Sequence, residues 1–231
     1  MIRSRAVMRS PLVLLVLVAC TGATTLTRAA EPPSGMFARE IEVAEIRLIR
    51  NGAGLCEWGI FSWDVYWAAL YLERPTTRFA DIVDSKKTKR IHLNFSRKLS
   101  REQMVDAYRA AFEANAGKKR QAELKASIDQ LLGMLTAVKA KDSLRLTYVP
   151  DVGTSLKLNG KQLGLIEGAE FGSLVFELYV GKKPPTKALK KGLLGPEKWH
   201  AGLKFSEPKA GESSPKGKPK KAEKKSSSGR A

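Results

Sequence analysis

The residues from Phe61 to Tyr71 constrain the fold more than any other stretch. Their odd positions read Phe61, Trp63, Val65, Trp67, Ala69 and Tyr71. An apolar and aromatic face repeating every second residue fits a strand and not a helix. Trp58, Phe61, Trp63, Tyr66, Trp67 and Tyr71 crowd into fourteen residues of a chain that is only 7% aromatic. Aromatic side chains therefore stand on both faces of one strand. Two uses of such a strand are open. It is core on both sides, or it walls an apolar cleft between a sheet and a helical layer, open or filled by Trp63 and Trp67.

The flanking segments say what this strand pairs with. Glu40 to Ile49 alternates in two phases, Ile41 and Val43 then Ile46 and Leu48, as a strand with a bulge does. Asn51-Gly52-Ala53-Gly54 reads as a turn. Arg90 to Ser96 alternates again, with Ile91, Leu93 and Phe95 opposite His92 and Asn94. The period then changes. Ser100 with Gln103 forms a capping box ahead of Met104, Ala107, Tyr108, Ala111 and Phe112 at helical spacing. Asn115-Ala116-Gly117 stops that helix, and a second runs from Lys118 to Val138 on the stripe Leu124, Ile128, Leu131, Leu132 and Leu135. Strands return at Leu144 to Tyr148, then at Ser155 to Leu158 and Lys161 to Leu165 around the hairpin signal Asn159-Gly160. A helix from Ala169 or Glu170 to Gly181 follows, then Pro184-Pro185, then a short helix capped by Thr186 and reaching Leu194. Strands, two helices, a meander and further helices make an α+β domain, with a largely antiparallel sheet and helices on one face.

That domain lies between two segments of different composition. Arg3, Arg5 and Arg9 precede the apolar run Leu12 to Ala19, the form of a secretory leader and too short to span a bilayer. Residues 1–30 are read as a signal peptide. Its end has two forms: a lipobox, Leu17-Val18-Ala19-Cys20, with Cys20 lipidated, or cleavage at a small residue near Ala23 or Ala29. Either form places the protein outside the cytoplasm, in a bacterial periplasm or anchored to a membrane as a lipoprotein. At the other end, Pro208 to Ala231 holds eight Lys/Arg and two Glu among Pro, Gly and Ser. Such a segment buries too little to offset its ordering entropy and is read as a disordered tail. The folded domain is thus expected at 31–207. The chain's net charge of +18 would invite nucleic acid in a cytoplasmic protein. In an exported one two readings are open, a solvated tail with no specific partner or attraction of 208–231 to an anionic envelope surface, and nucleic acid is not an expected partner.

Catalytic chemistry is sparse. Two cysteines and two histidines leave almost no material for a metal site or a disulfide framework, and no cofactor motif is present. His92 stands on a strand face and His200 near the end of the ordered part. Cys56 with His92 as nucleophile and base is conceivable from composition, but a buried cysteine behind a glycine turn is the plainer reading. Gly52-Ala53-Gly54 has neither the lysine nor the following helix of a phosphate loop.

Several motifs, in order along the chain, nonetheless carry a resemblance. Asn51-Gly52-Ala53-Gly54-Leu55, Val65-Tyr66-Trp67-Ala68-Ala69-Leu70-Tyr71-Leu72 and Lys89-Arg90-Ile91-His92-Leu93 come first. Tyr148-Val149-Pro150 with Asn159-Gly160-Lys161 follows, then Gly181-Lys182-Lys183-Pro184-Pro185 with Gly192-Leu193-Leu194-Gly195. Together, over about Ile41 to Gly195, they resemble bacterial chalcone isomerase-like proteins. The resemblance implies an open-faced β-sandwich, a curled sheet packed against a helical layer with a cleft between them. Plant chalcone isomerases close a flavanone ring by stabilising a phenolate with an arginine and with hydroxyl and amide groups. Here Cys56 stands at the arginine position and Tyr66 at the strand hydroxyl, while Leu99 and Asp106 stand at the helix-start tyrosine and asparagine. An acid at 106 has the wrong sign for a developing anion. Fatty-acid-binding relatives hold a carboxylate with that same arginine, so Cys56 also departs from them, although Arg97 or Lys98 is an available substitute.

The expectation is therefore a protein of this fold that is not a working isomerase and binds a fatty acyl chain or other apolar molecule. Its ligand-contacting candidates are Cys56, Trp63, Tyr66, Trp67, Asn94, Leu99, Asp106 and Tyr108. The alternatives are an intramolecular lyase or isomerase of another substrate, acting through Tyr66, and an envelope scaffold acting through the basic tail.

Overall fold

Alternation at period two is realised as one antiparallel sheet. The computed structural model describes residues 31–59 and 62–195. Its strands are β1 (Glu40–Val43), β2 (Ile46–Trp58), β3 (Trp63–Leu72), β4 (Lys89–Phe95), β5 (Ser143–Val149), β6 (Gly153–Leu158) and β7 (Lys161–Ile166). They lie side by side in chain order, each antiparallel to the next. Helix α1 (Phe79–Val83) interrupts the path from β3 to β4. The path from β4 to β5 carries α2 (Arg101–Asn115), α3 (Lys118–Glu123) and α4 (Lys125–Met134), and α5 (Ala169–Val180) and α6 (Lys187–Leu193) follow β7. The fold is α+β and of the open-faced sandwich type. Residues 1–30, read above as a signal peptide, with Cys20, and likewise His200 and the segment 208–231, lie outside the described residues.

The strand alternation decides what each face meets. From β4, Ile91, Leu93 and Phe95 are buried against the helices with Leu144 and Leu146 of β5, while Arg90, His92 and Asn94 project from the opposite face. From β3, Ala68, Leu70 and Leu72 join the helix-side core, and Trp67, Ala69 and Tyr71 form a second cluster with Phe37, Val43, Leu48 and Ala53. The aromatic strand is thus buried on both faces because the N-terminal segment folds over the far side of β2 and β3. Tyr71 donates its hydroxyl to the Ala38 carbonyl at 2.9 Å, and Arg50 donates to the Phe37 carbonyl at 2.6 Å.

The helix signals are realised in detail. Gln103 N–H donates to Ser100 Oγ at 3.2 Å and Ser100 N–H to Gln103 Oε1 at 2.8 Å, closing the capping box. Thr186 Oγ1 accepts from Leu189 N–H at 3.0 Å at the start of α6. Asn159 and Gly160 both take positive φ, 50° and 85°, as the tight hairpin between β6 and β7 requires.

Three expectations are corrected. Glu40 to Ile49 is two strands, not one bulged strand. Ala44 and Glu45 at φ 49° and 64° form a two-residue turn, and it is this turn that shifts the hydrophobic phase. Asn51 to Gly54 is not a turn but the middle of the thirteen-residue β2. The glycines serve close approach: a Cβ on Gly52 would stand 2.2 Å from the Gly192 carbonyl oxygen, and one on Gly192 2.4 Å from that of Ala53. Helix α6 therefore lies directly on β2, and buried Asn51 clamps it by donating to the Leu193 carbonyl at 2.8 Å while accepting from Thr76 N–H at 2.7 Å. The span Lys118 to Val138 breaks at Leu124 into α3 and α4 and ends at Met134. Val138 instead pairs with Leu99 in an isolated bridge, each N–H donating to the other's carbonyl at 3.0 Å.

Candidate functional site

Polar groups are rare between the sheet and the helices, and a cluster of four stands at one end. Cys56 and Tyr66 are cross-strand partners on β2 and β3, and Tyr66 pairs in turn with Phe95 of β4, ring edge to ring face at 5.9 Å. Above them, α2 turns Met104, Tyr108 and Phe112 inward at successive helical turns. Helix α5, apolar almost all round, presents Phe171, Leu174, Val175, Leu178 and Tyr179. The hydroxyls of Tyr108 and Tyr179 meet at 2.7 Å, the one side-chain bond between α2 and α5 among the described residues.

Burial governs the chemistry of this cluster. Desolvation pushes the Tyr108 phenol up to about 12, and it also holds the phenols of Tyr66 and Tyr179 well above the ordinary range, each facing other phenols and the Cys56 thiol besides. Burial raises the Cys56 thiol as well, against the opposing effect of its hydrogen bond with Tyr66. All four groups are neutral at physiological pH. They offer hydrogen bonds to a polar atom in an apolar surround, but neither a general base, a thiolate nor a cation. Cys56, Tyr108 and Tyr179 are each less than one-tenth exposed and Tyr66 is partly buried, so the interlayer is closed except at its Tyr66 edge.

The structure brings together only part of the expected set. Cys56, Tyr66 and Tyr108 share the interlayer, with Leu99 packed at its margin. Trp67 lies on the opposite face of the sheet, in the cluster with Phe37 and Tyr71. Asn94 shares that opposite face, because it alternates with the buried Leu93 and Phe95. Trp63 is half-exposed beyond the end of the interlayer, since the β2–β3 register slips between Cys56↔Tyr66 and Glu57↔Asp64. Asp106 points to solvent and pairs with Arg109 at 3.0 Å. Arg97, the available substitute for a buried arginine, stacks over Trp63 at 4.8 Å instead. His92 is on the open face, edge-on to Phe37 at 5.1 Å and 2.7 Å from Ser143 Oγ, so Cys56 and His92 form no pair. Tyr179 is the member of the cluster that the sequence does not single out. Its signal is its place on α5 opposite the narrow polar stripe Glu170, Ser173 and Glu177, of which Glu170 and Glu177 pair with Arg120.

A second polar feature sits at the other end of the helix-side core. Lys89, 1% exposed, begins β4 in the phase of Ile91 and Leu93. Its ammonium donates to the carbonyls of Ile82 at 2.5 Å and Ser85 at 2.8 Å, where α1 ends, and lies 5.4 Å and 5.2 Å from the ring centroids of Tyr148 and Phe176. Desolvation lowers its pKa to about 8, with Asp84 opposing. A surface cleft of about 340 Å³ beside it is lined by Glu73, Arg74, Thr76, Asp81, Lys87 and Thr88.

The architecture now meets known proteins. The family model described as chalcone isomerase-like matches residues 34–195. The chain belongs to the chalcone isomerase-like family. Among solved structures it is similar to a fatty-acid binding protein of Arabidopsis thaliana at 16% identity and a TM-score of 0.54, over 68% of this chain and 90% of that one. That likeness bears on the fold, a curled sheet under helices. No curated protein matches the chain. Within the chalcone isomerase-like fold, Cys56 and Tyr66 sit side by side in the interlayer where the resemblance put an arginine and a hydroxyl. The expected helix-start pair separates, with Leu99 packed inward and Asp106 turned out.

Proposed function

We propose that this chalcone isomerase-like protein is a non-catalytic binder of a neutral apolar molecule, such as an acyl chain with an uncharged head, held between the sheet and helices α2 and α5. The observation that carries this reading is the Cys56–Tyr66–Tyr108–Tyr179 cluster: hydrogen-bonding but uncharged, set among apolar side chains at its end of the layer. Stabilising a phenolate or a carboxylate there would need a cation or several converging donors. The one buried charged residue among those described, Lys89, is at the opposite end and already holds the end of α1. That the Arabidopsis neighbour is a fatty-acid binding protein supports an apolar ligand. Cys56 favours a fatty alcohol, ester or amide over an ionised acid. Entry requires α2 and α5 to part at the Tyr108–Tyr179 bond.

The reading also places the protein outside the cytoplasm, on the pattern Arg3, Arg5, Arg9 and Leu12 to Ala19, with 208–231 meeting an anionic envelope surface. Cell fractionation and the mass of the mature N-terminus test export. Native mass spectrometry of the purified protein, followed by lipid extraction, tests binding. A stoichiometric neutral lipid is the expected result, with added fatty alcohol retained better than fatty acid at neutral pH. Stereoselective cyclisation of a chalcone above background, lost in Tyr66→Phe, would overturn the reading in favour of an isomerase.

A further inference from the structure

We propose that the cross-strand pair Trp58 and Trp63, at the end of β2 and the start of β3, docks the domain onto an anionic phospholipid surface. Trp58 is 75% exposed and Trp63 52%, the two most exposed large hydrophobic residues among those described, and they are cross-strand partners. Both indoles keep a large apolar area in contact with water. Indoles are the side chains that settle best at a membrane–water interface, apolar body inward and N–H outward.

The surroundings select the charge of that membrane. In a sheet whose strands follow chain order, the ends of β2, β4 and β6 and the starts of β3, β5 and β7 share one edge. That edge carries Arg97, stacked on Trp63 at 4.8 Å, with exposed Lys98, Lys139, Lys141 and Lys161. Against these stand Glu57, Asp64 and Asp142. The carboxylate of Asp142 is already occupied, accepting from Lys139 N–H at 2.7 Å and Asn159 Nδ2 at 2.9 Å. An aromatic tip on a cationic edge complements anionic headgroups. Position supplies a purpose, and only this step rests on the proposed ligand. Trp58 follows Cys56 by two residues in the same strand phase, about 7 Å along β2, so the tip marks the outer end of the interlayer at the tyrosine cluster. Docked there, the domain would present the interlayer to the lipid from which an apolar ligand comes.

The test uses the full chain and the same chain carrying Trp58→Ser and Trp63→Ser, with vesicles of phosphatidylcholine alone or mixed with phosphatidylglycerol. The expected result is salt-sensitive binding to the mixed vesicles, weakened about tenfold for each tryptophan removed. Brominated phospholipid should quench the wild-type emission and barely touch that of the double variant, which keeps Trp67 and Trp199. Equal binding by both chains would overturn the proposal and leave 1–30 or 208–231 as the lipid-binding element. Unquenched wild-type indoles, or equal binding to both vesicle types, would overturn it too. A chain that ignores both vesicles refutes it and leaves the tip for a protein partner. Ligand retention is measured separately in solution, so failure on vesicles with an acyl ligand still bound removes this inference alone.

Discussion

The two faces of the sheet are composed by the same strands, yet they solve the problem of polar groups differently. On the helix side β4 contributes Lys89, Ile91, Leu93 and Phe95, and the charged and phenolic groups are caged, Lys89 by the carbonyls that end α1 and the phenols of Tyr108 and Tyr179 by each other, while the buried Thr154 hydroxyl is left without a partner. On the open side β4 contributes Arg90, His92 and Asn94. There Arg90 donates to Thr147 Oγ1 at 2.8 Å and His92 meets Ser143 Oγ at 2.7 Å. Among the described residues, the apolar cluster on that face is the one closed by the segment through Phe37 and β1. Under full cover a polar group must be satisfied by specific geometry, since water cannot repair a lost partner. On the half-open face it needs only a neighbour and solvent.

If the covered face depends on close approach, disturbing the approach should cost most. Gly52→Ala places a methyl 2.2 Å from the Gly192 carbonyl and 2.6 Å from that of Leu193, both backbone atoms. The expected loss is about 4 kcal/mol or more, because α6 must lift and Asn51 then loses its acceptor. Urea unfolding measures it. A change under about 1 kcal/mol would mean that α6 is not held to β2 in this way.

The same residues show how far the sequence could be read. Asn51 to Gly54 looked like a turn because Asn and Gly share one local signature whether the chain bends or another backbone comes near. Only the partner, Gly192, some 140 residues on, distinguishes the two cases. The phase change at Ala44-Glu45 was visible, but its cause was not, since neither residue announces positive φ. Strand alternation, the capping box, Asn159-Gly160 and the α5 and α6 boundaries were legible because they are local. The site was half legible. Cys56, Tyr66 and Tyr108 follow from strand and helix phase, whereas Tyr179 sits on a helix whose polar stripe, Glu170, Ser173 and Glu177, is so narrow that most of its circumference is apolar. Trp63 and Trp67, both read from one alternating run, parted where the β2–β3 register slips. Asp106 was assigned by alignment to a position that α2 turns toward water.

pH separates the two faces. Lys89 has its pKa lowered to about 8 in the fold from an ordinary 10.5, so between these values the unfolded chain binds more protons and stability rises with pH. The gain is about 3 kcal/mol across that window, and Lys89→Met should abolish it. On the open face burial, with Arg145 and Arg90 nearby, holds His92 down at about 4 against an ordinary 6.5. Its contribution is fully present above pH 6.5 and is lost as pH falls toward 4. Solvent at this partly exposed face reduces the loss to about 2 kcal/mol, which His92→Gln should remove. Denaturant midpoints followed across both windows check the pair. A flat profile from pH 8 to 10.5 would show that Lys89 is not desolvated.

The tyrosine pair offers a finer probe. Tyr108→Phe and Tyr179→Phe should each cost about 1–2 kcal/mol, because either leaves a buried hydroxyl unsatisfied. The double replacement should cost less than the sum, since it removes both orphans together. Additive losses in a double-mutant cycle would place the two hydroxyls with separate partners.

The smallest expected effect sharpens the comparison from outside the core. Asp106 is the residue that the resemblance sets at an amide position, and a buried acid there would oppose any anionic ligand. In the structure its side chain is 73% exposed and its partner is Arg109, one turn along α2. Exposed pairs of this spacing contribute a few tenths of a kcal/mol. Asp106→Asn should therefore shift stability by no more than about 0.5 kcal/mol, leave the binding of an acyl ligand unchanged, and awaken no chalcone cyclisation. Parallel measurement with Tyr108→Phe, two residues along the same helix but on its inner side, makes the contrast internal to α2. Should Asp106→Asn alter ligand binding as much as Tyr108→Phe does, the ligand would have to reach the outer face of α2, and the interlayer would no longer be the site.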